Sequence, residues 1–180
     1  MQWYNSNIQI DKKVIDDVFA NIKPDTKMLV FGLGYDSKMW YYGCNKNVYF
    51  VEDNDEYIKL NSKIPKKNIV KYVYKTSVSS TPTADPSLFG IPKILLDLAP
   101  FDIIIVDGPT GWAGHCPGRL LPCYWSTFLS KPGTLIYIDD SSRDTENFCI
   151  TKFFSSIPRT VFLERQHCTK LIIPKLSGTA

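Results

Sequence analysis

Four short segments carry side chains that could do chemistry, and each follows an apolar run. They are Gly32-Leu33-Gly34-Tyr35-Asp36-Ser37 after MLVF, Glu52-Asp53 at the end of VYFVED, Asp107 to Arg119 after FDIIIV, and Asp139-Asp140 with Arg143 after TLIYI. Glycines at 32 and 34 let a chain turn sharply and approach a ligand with no Cβ in the way. A carboxylate about 20 residues beyond such a turn can accept both hydroxyl protons of a ribose. Together they predict a nucleoside-cofactor site with Gly32, Gly34, Asp36 and Ser37 in the turn and Glu52 and Asp53 at the ribose.

The position after the second glycine selects the nucleoside. A dinucleotide site places a third glycine where a helix N-terminus meets a pyrophosphate. Here that place holds Ser37, preceded by Asp36. A carboxylate there repels a pyrophosphate and suits a cation, such as the sulfonium and amino groups of S-adenosylmethionine. The expected cofactor is that methyl donor, and Asp107 is expected to help hold it.

The remaining segments are expected to meet the second substrate. Asp107 ends a buried strand, and Gly108-Pro109 turns the chain into TGWAGHCPGR. That loop offers Trp112, His115 and Arg119, an aromatic plane and cations suited to an oxygen-rich substrate. Asp139 and Asp140 end a neighbouring strand, with Arg143 beyond. Three convergent carboxylates can raise the pKa of one member so that it acts as general base, or can hold a divalent metal. Asp107, Asp140 and His115 are the candidate catalytic residues, and Asp107, Asp139 and Asp140 the candidate metal ligands. Trp112, Arg119 and Arg143 are the candidate substrate-binding residues.

To position these residues the chain must place several strand ends at one edge. Apolar runs predict strands at 28–31, 48–51, 69–75, 102–106, 134–138, 160–164 and 170–173, with helices over about 8–22, 37–42, 54–61, 117–129 and 145–155. Alternating strands and helices predict an α/β fold with a doubly wound, mainly parallel seven-stranded sheet. The last two strands, joined by the short RQHCT, are expected to form a terminal antiparallel hairpin. The stretch 76–92, rich in Ser, Thr and Pro, is expected to be an ordered loop or partial lid. A single domain is expected over 1–176, followed by a disordered tail at 177–180.

Composition narrows the class. The chain has 180 residues, 44% hydrophobic and 22% charged, enough for one sizeable core. A net charge of +3 does not call for nucleic acid. No run approaches a membrane span or signal peptide, so a soluble, cytoplasmic protein with no membrane partner is expected. Five cysteines without a C-x-x-C pair predict reduced thiols, with Cys44, Cys123, Cys149 and Cys168 as packing residues.

FGLGYDSKMW, VYFVED, FDIIIVDGPTGW followed by PGR, and the strand ending DDSSR resemble the ordered motifs of the glucuronoxylan 4-O-methyltransferase family. The resemblance runs from about Met28 to Phe154. It implies a Rossmann-like class I methyltransferase fold and transfer of a methyl group from S-adenosylmethionine to a sugar hydroxyl. It places Gly32, Gly34, Asp36 and Ser37 in the donor loop, Glu52 or Asp53 at the ribose, and Asp107, Arg119, Asp140 and Arg143 around the acceptor. The family shows His-Asp where this chain has Asp139-Asp140, and its plant members carry a Golgi membrane anchor. A nucleotide sugar, an oligosaccharide or a glycan is the implied acceptor.

Two alternatives remain open in the sequence. The carboxylates, with Trp112, Tyr124 and Trp125 as an aromatic wall, would suit a metal-dependent methyltransferase of catechol-like molecules. The lysines and aromatics of KIPKKNIVKYVYK, 63–75, would suit a non-catalytic nucleoside- or nucleic-acid-binding module. Their plainer reading is a sheet edge guarded by lysine.

Overall fold

The computed structural model describes residues 7–163 and 167–175. Seven strands, β1 Met28–Phe31, β2 Val48–Glu52, β3 Ile69–Lys71, β4 Phe101–Val106, β5 Ser130–Asp139, β6 Arg159–Phe162 and β7 Cys168–Ile172, form one sheet in the order β3-β2-β1-β4-β5-β7-β6. β3 through β5 run parallel, and β7 pairs antiparallel with both β5 and β6. This is the doubly wound sheet with a terminal antiparallel hairpin that the apolar runs predict.

Among the described residues six helices accompany it: α1 Lys12–Ala20, α2 Ser37–Gly43, α3 Asp55–Leu60, α4 Lys93–Leu98, α5 Leu120–Leu129 and α6 Asp144–Phe154. Alternate strand residues feed two apolar layers. Leu29, Phe31, Ile104, Val106, Ile136 and Ile138 pack with Leu121, Trp125, Leu129 and Ile150 on one face. Met28, Val30, Ile103, Ile105 and Tyr137 pack with Val14, Ile15, Val18, Met39 and Trp40 on the other. Burial on both faces is why these strands read as unbroken apolar runs rather than alternating ones. On the second face Asp17 of α1 also accepts hydrogen bonds from Tyr137 Oη at 2.6 Å and Lys170 Nζ at 2.7 Å, fixing α1 to β5 and β7.

Several elements differ from expectation. β3 stops at Lys71 instead of 75, because its partner β2 ends at Glu52 and Tyr72 then turns inward. Tyr72 packs edge-on against Trp125 with centroids 4.9 Å apart, and Tyr74 stacks on Trp125 at 6.2 Å. The lysine-rich stretch is a single 3-10 turn followed by this edge strand, with Lys71 paired to Asp55 at 2.6 Å. α5 starts three residues later than 117, because Gly118 adopts a positive φ and its N–H bonds Thr110 O at 3.0 Å. α4 went unpredicted, since Leu95 is its one buried residue and six residues give little periodicity.

The stretch 76–92 is an ordered loop, as expected. It folds into two 3-10 turns, the first closed by reciprocal Ser77 and Ser80 caps. Val78 N bonds Cys116 O at 2.8 Å and Ser79 N bonds Gly114 O at 3.0 Å, so the stretch braces the loop after β4 from behind. The expected strand 160–164 ends at Phe162, with Glu164 outside the described residues, as is the tail at 177–180. All five cysteines are buried and free. Among the described residues no helix is long and apolar enough to cross a membrane.

Candidate functional site

The strand order reverses between β1 and β4, and there, beyond the carboxyl ends of the strands, lies a cleft of about 500 Å³. Ligands bind at such switch points in open α/β sheets. The glycine turn forms its floor. Gly32 has φ +110°, and a Cβ on it would lie 3.2 Å from the backbone nitrogen of Gly108; a Cβ on Gly108 would lie 2.8 Å from Gly32 Cα. The ends of β1 and β4 therefore meet glycine on glycine. Gly34 needs its small size for a different reason: a Cβ there would lie 2.9 Å from Asp36 Oδ1.

Asp36 lines the cleft, and its Oδ2 accepts from Trp40 Nε1 at 2.6 Å, one turn along α2. Burial raises its pKa, against the pull of that hydrogen bond. Ser37 is fully buried and does not line the cleft. Its Oγ accepts from Gly34 N at 2.8 Å, so it braces the turn from inside rather than facing a ligand.

Glu52 and Asp53 both line the cleft, with distinct roles. Glu52 Oε2 accepts from Leu33 N at 2.6 Å, and Oε1 accepts from Asp53 N at 2.9 Å and Asn54 N at 2.7 Å. One carboxylate thus fastens the glycine turn to the end of β2. The cap of α3 is Asn54, whose Oδ1 accepts from Glu56 N, so Asp53 is not the helix cap. Burial pushes Glu52 up to about 7 against those backbone donors. A carboxyl raised in the folded state stabilises most in acid and loses that contribution as pH climbs through the raised value. Wild type should therefore lose stability relative to Glu52→Gln between about pH 4.5 and 7, read by urea unfolding at several pH values. A wild-type advantage that grows with pH would contradict this.

At the ends of β4 and β5 a buried arginine organises the acidic groups. Arg119, 3% exposed, donates through Nη1 to Asp139 O and through Nη2 to Asp107 O at 2.9 Å and Asp140 Oδ2 at 2.7 Å. Nη2 also lies 3.3 Å from Asp107 Oδ1. Arg119 was expected to hold substrate; instead protein acceptors engage its terminal nitrogens, and it ties β4 to β5. Burial opposes its charge, but Asp107 and Asp140 outweigh burial and keep it protonated. Arg143 Nη1 reaches the same Asp140 Oδ2 at 2.8 Å and lies at the cleft wall. Burial, followed by the charge of Asp139, lifts Asp107 well above the usual carboxylate range. Burial also lifts Asp139, with Arg119 opposing.

Asp107, Asp139 and Asp140 offer three carboxylate oxygens within 4.8 Å of one another. An all-oxygen set of this kind fits a hard divalent cation. Among the described residues the lining of the cleft holds seven carboxylates, Asp11, Asp36, Glu52, Asp53, Asp107, Asp139 and Asp140, against two arginines. Such a cavity favours a cation-bearing ligand and disfavours a pyrophosphate.

The aromatic and histidine expectations need correction. Trp112 is 72% exposed at the rim, where a substrate can reach it. His115 is exposed and packs edge-on against Trp112 at 5.6 Å, but does not line the cleft. Trp125 is fully buried in the core, and Tyr124 packs on Phe128 and Phe153, so neither forms a cleft wall. The histidine at the cleft is His167, just before β7. In the sequence His167 is one residue of the short hairpin connection RQHCT and carries no motif. The antiparallel direction of β7 was the available signal, because its first residues must lie at the edge where β5 ends. Residues 7–11, ahead of α1, also line the cleft and carried no motif.

No protein-family model matches the sequence. The chain is 28% identical over 173 residues to Protein IRX15-LIKE of Arabidopsis thaliana, covering 79% of this chain and 55% of that protein. It is 27% identical over 167 residues to Glucuronoxylan 4-O-methyltransferase 2 of the same plant, covering 78% and 56%. The chain spans about half the length of the curated relatives it matches. In structure it resembles a putative caffeoyl-CoA O-methyltransferase from Staphylococcus aureus, with TM-score 0.58, 12% identity and coverage of 94% and 87%. It also resembles MycE methyltransferase of the mycinamycin biosynthetic pathway, solved with Mg, S-adenosylhomocysteine (SAH) and mycinamycin VI, with TM-score 0.56, 12% identity and coverage of 99% and 54%. The chain has the class I, Rossmann-like methyltransferase fold, and in sequence it is similar to plant glucuronoxylan 4-O-methyltransferases.

Proposed function

We propose that this chain is an S-adenosylmethionine-dependent O-methyltransferase that methylates a sugar hydroxyl of a glycan, oligosaccharide or nucleotide sugar. The observation that carries this reading is the carboxylate-rich cleft at the switch point, whose glycine turn faces Asp36 rather than a basic or open anion site. It suits a donor that bears a sulfonium, an amino group and a ribose. The similarity to plant polysaccharide methyltransferases supports a sugar as acceptor.

In this reading Gly32, Gly34 and Asp36 hold the methionine part of the donor. Asp53 takes a ribose hydroxyl beside Glu52, whose Oε2 holds one backbone donor and retains a second acceptor position. The carboxylates of Asp107 and Asp139 face the positive charge of the sulfonium. Trp112 offers a flat apolar face to a sugar ring, and Arg143 a cation to its oxygens. Methyl transfer is an in-line displacement, so holding the hydroxyl oxygen on the line of the breaking bond is the main contribution of these residues. Asp107, Asp139 and Asp140 would hold a divalent metal, which when bound lowers the pKa of a coordinated hydroxyl.

The catechol alternative loses its aromatic wall, because Trp125 is in the core. The test is transfer of labelled methyl from S-adenosylmethionine to glucuronoxylan fragments, nucleotide sugars and a catechol, with and without chelator. Label on a sugar oxygen is expected. Label on the catechol alone, or on nothing, would overturn the reading.

A further inference from the structure

We propose that His167 is the general base that accepts the proton of the acceptor hydroxyl. The inference rests on the methyl-transfer reading above. Its basis is the meeting of β5 and β7 at the cleft. Asp139 pairs with Cys168, so the residues just beyond, Asp140 and His167, face each other across the end of the ladder. Both adopt left-handed backbone, φ +56° and +57°. Few non-glycine residues do so, and such conformations cluster at functional sites. The pair is held in place by the bond from Ser141 N to His167 O at 3.1 Å and the bond from Thr169 Oγ1 to Ser141 Oγ at 2.9 Å.

His167 lines the same cleft as Trp112 and Arg143, whereas His115 lies outside it. The acidic candidates are less suited to the task. Asp140 Oδ2 is already engaged by two guanidinium groups, Arg119 at 2.7 Å and Arg143 at 2.8 Å. Asp107 Oδ1 lies 3.3 Å from Arg119 Nη2, and the Asp107 carbonyl accepts from that same nitrogen at 2.9 Å, so the guanidinium occupies this side of the residue.

The step balances without a further reactant. The hydroxyl oxygen forms a bond to the methyl carbon as the carbon–sulfur bond breaks. That electron pair passes to sulfur and cancels the sulfonium charge, and the hydroxyl proton passes to a ring nitrogen of His167 and then to water.

Variants that tolerate left-handed backbone keep the fold out of the result, so the choices are His167→Asn and His167→Gly. On the sugar acceptor labelled by wild type, His167→Asn should bind S-adenosylhomocysteine as wild type does while kcat falls by about 10²–10⁴-fold. Added imidazole should restore part of the turnover of His167→Gly. Turnover of His167→Asn near that of wild type would overturn the assignment and leave the methyl-transfer reading intact. Loss of S-adenosylhomocysteine binding in both variants, with no rescue by imidazole, would also overturn it, in favour of a structural role. Wild type that transfers methyl to no acceptor would overturn the reading itself, and the assignment with it.

Discussion

Replacing Arg119 with methionine should destabilise the fold by about 3–5 kcal/mol, the usual cost of removing one partner from a buried ionic cluster. The side chain is buried among the acceptors Asp139 O, Asp107 O and Asp140 Oδ2, and its Nε lies 3.8 Å from the fully buried Glu146. Without the guanidinium, four carboxyl groups share this region with Arg143 as their remaining counter-charge among the described residues, and burial already raises Asp107, Asp139 and Glu146. Lysine at 119 should recover only part of the loss, because an ammonium is a point charge and cannot span acceptors on both strand ends as the planar fork does. Urea unfolding of the three proteins checks this. A loss below about 1 kcal/mol for methionine would show that the arginine is not what binds β4 to β5.

Gly108→Ala should cost about 1–3 kcal/mol and weaken donor binding by about tenfold or more. The added Cβ would lie 2.8 Å from Gly32 Cα, 3.1 Å from Gly32 N and 3.2 Å from Phe31 O. All three are backbone atoms, so no side chain can swing away. Relief requires the ends of β1 and β4 to part, which moves the glycine turn away from the rest of the cleft. Gly34→Ala meets only the Asp36 carboxylate, so it should spare stability and act through the position of that side chain. Thermal unfolding and calorimetry with S-adenosylhomocysteine separate the two cases. Equal behaviour of Ala at 108 and 34 would contradict the close approach of the strands.

The sheet was legible because its central strands are apolar on both faces and end in glycine or carboxylate, as at Phe31-Gly32, Glu52 and Val106-Asp107. Strand ends at one edge of a parallel sheet lie together, which is enough to bring Asp36, Glu52, Asp107 and Asp140 around one cleft. The use made of each side chain was less legible. Arg119 lines the cleft yet spends its terminal nitrogens on acceptors from two strand ends, a set of contacts that no local motif records. Glu52 reads as a ligand group in a motif, yet two loop segments that share no sequence pattern deliver backbone N–H groups to it. His115 stood out for its neighbours in sequence and His167 did not, although the direction of β7 brings His167 to the cleft. Glu146 belongs to the same region only because α6 turns its first residues back over Arg119.

The central claim is that the acidic cleft holds a sulfonium nucleoside and not a dinucleotide. Side-by-side calorimetric titration of the wild-type chain with S-adenosylmethionine, S-adenosylhomocysteine and NAD tests it most directly. The prediction is saturable binding of both adenosyl compounds at one site, weakened in Asp53→Ala and Gly108→Ala, with no detectable heat from NAD. Tighter binding of NAD, or no binding of either adenosyl compound, would contradict the claim.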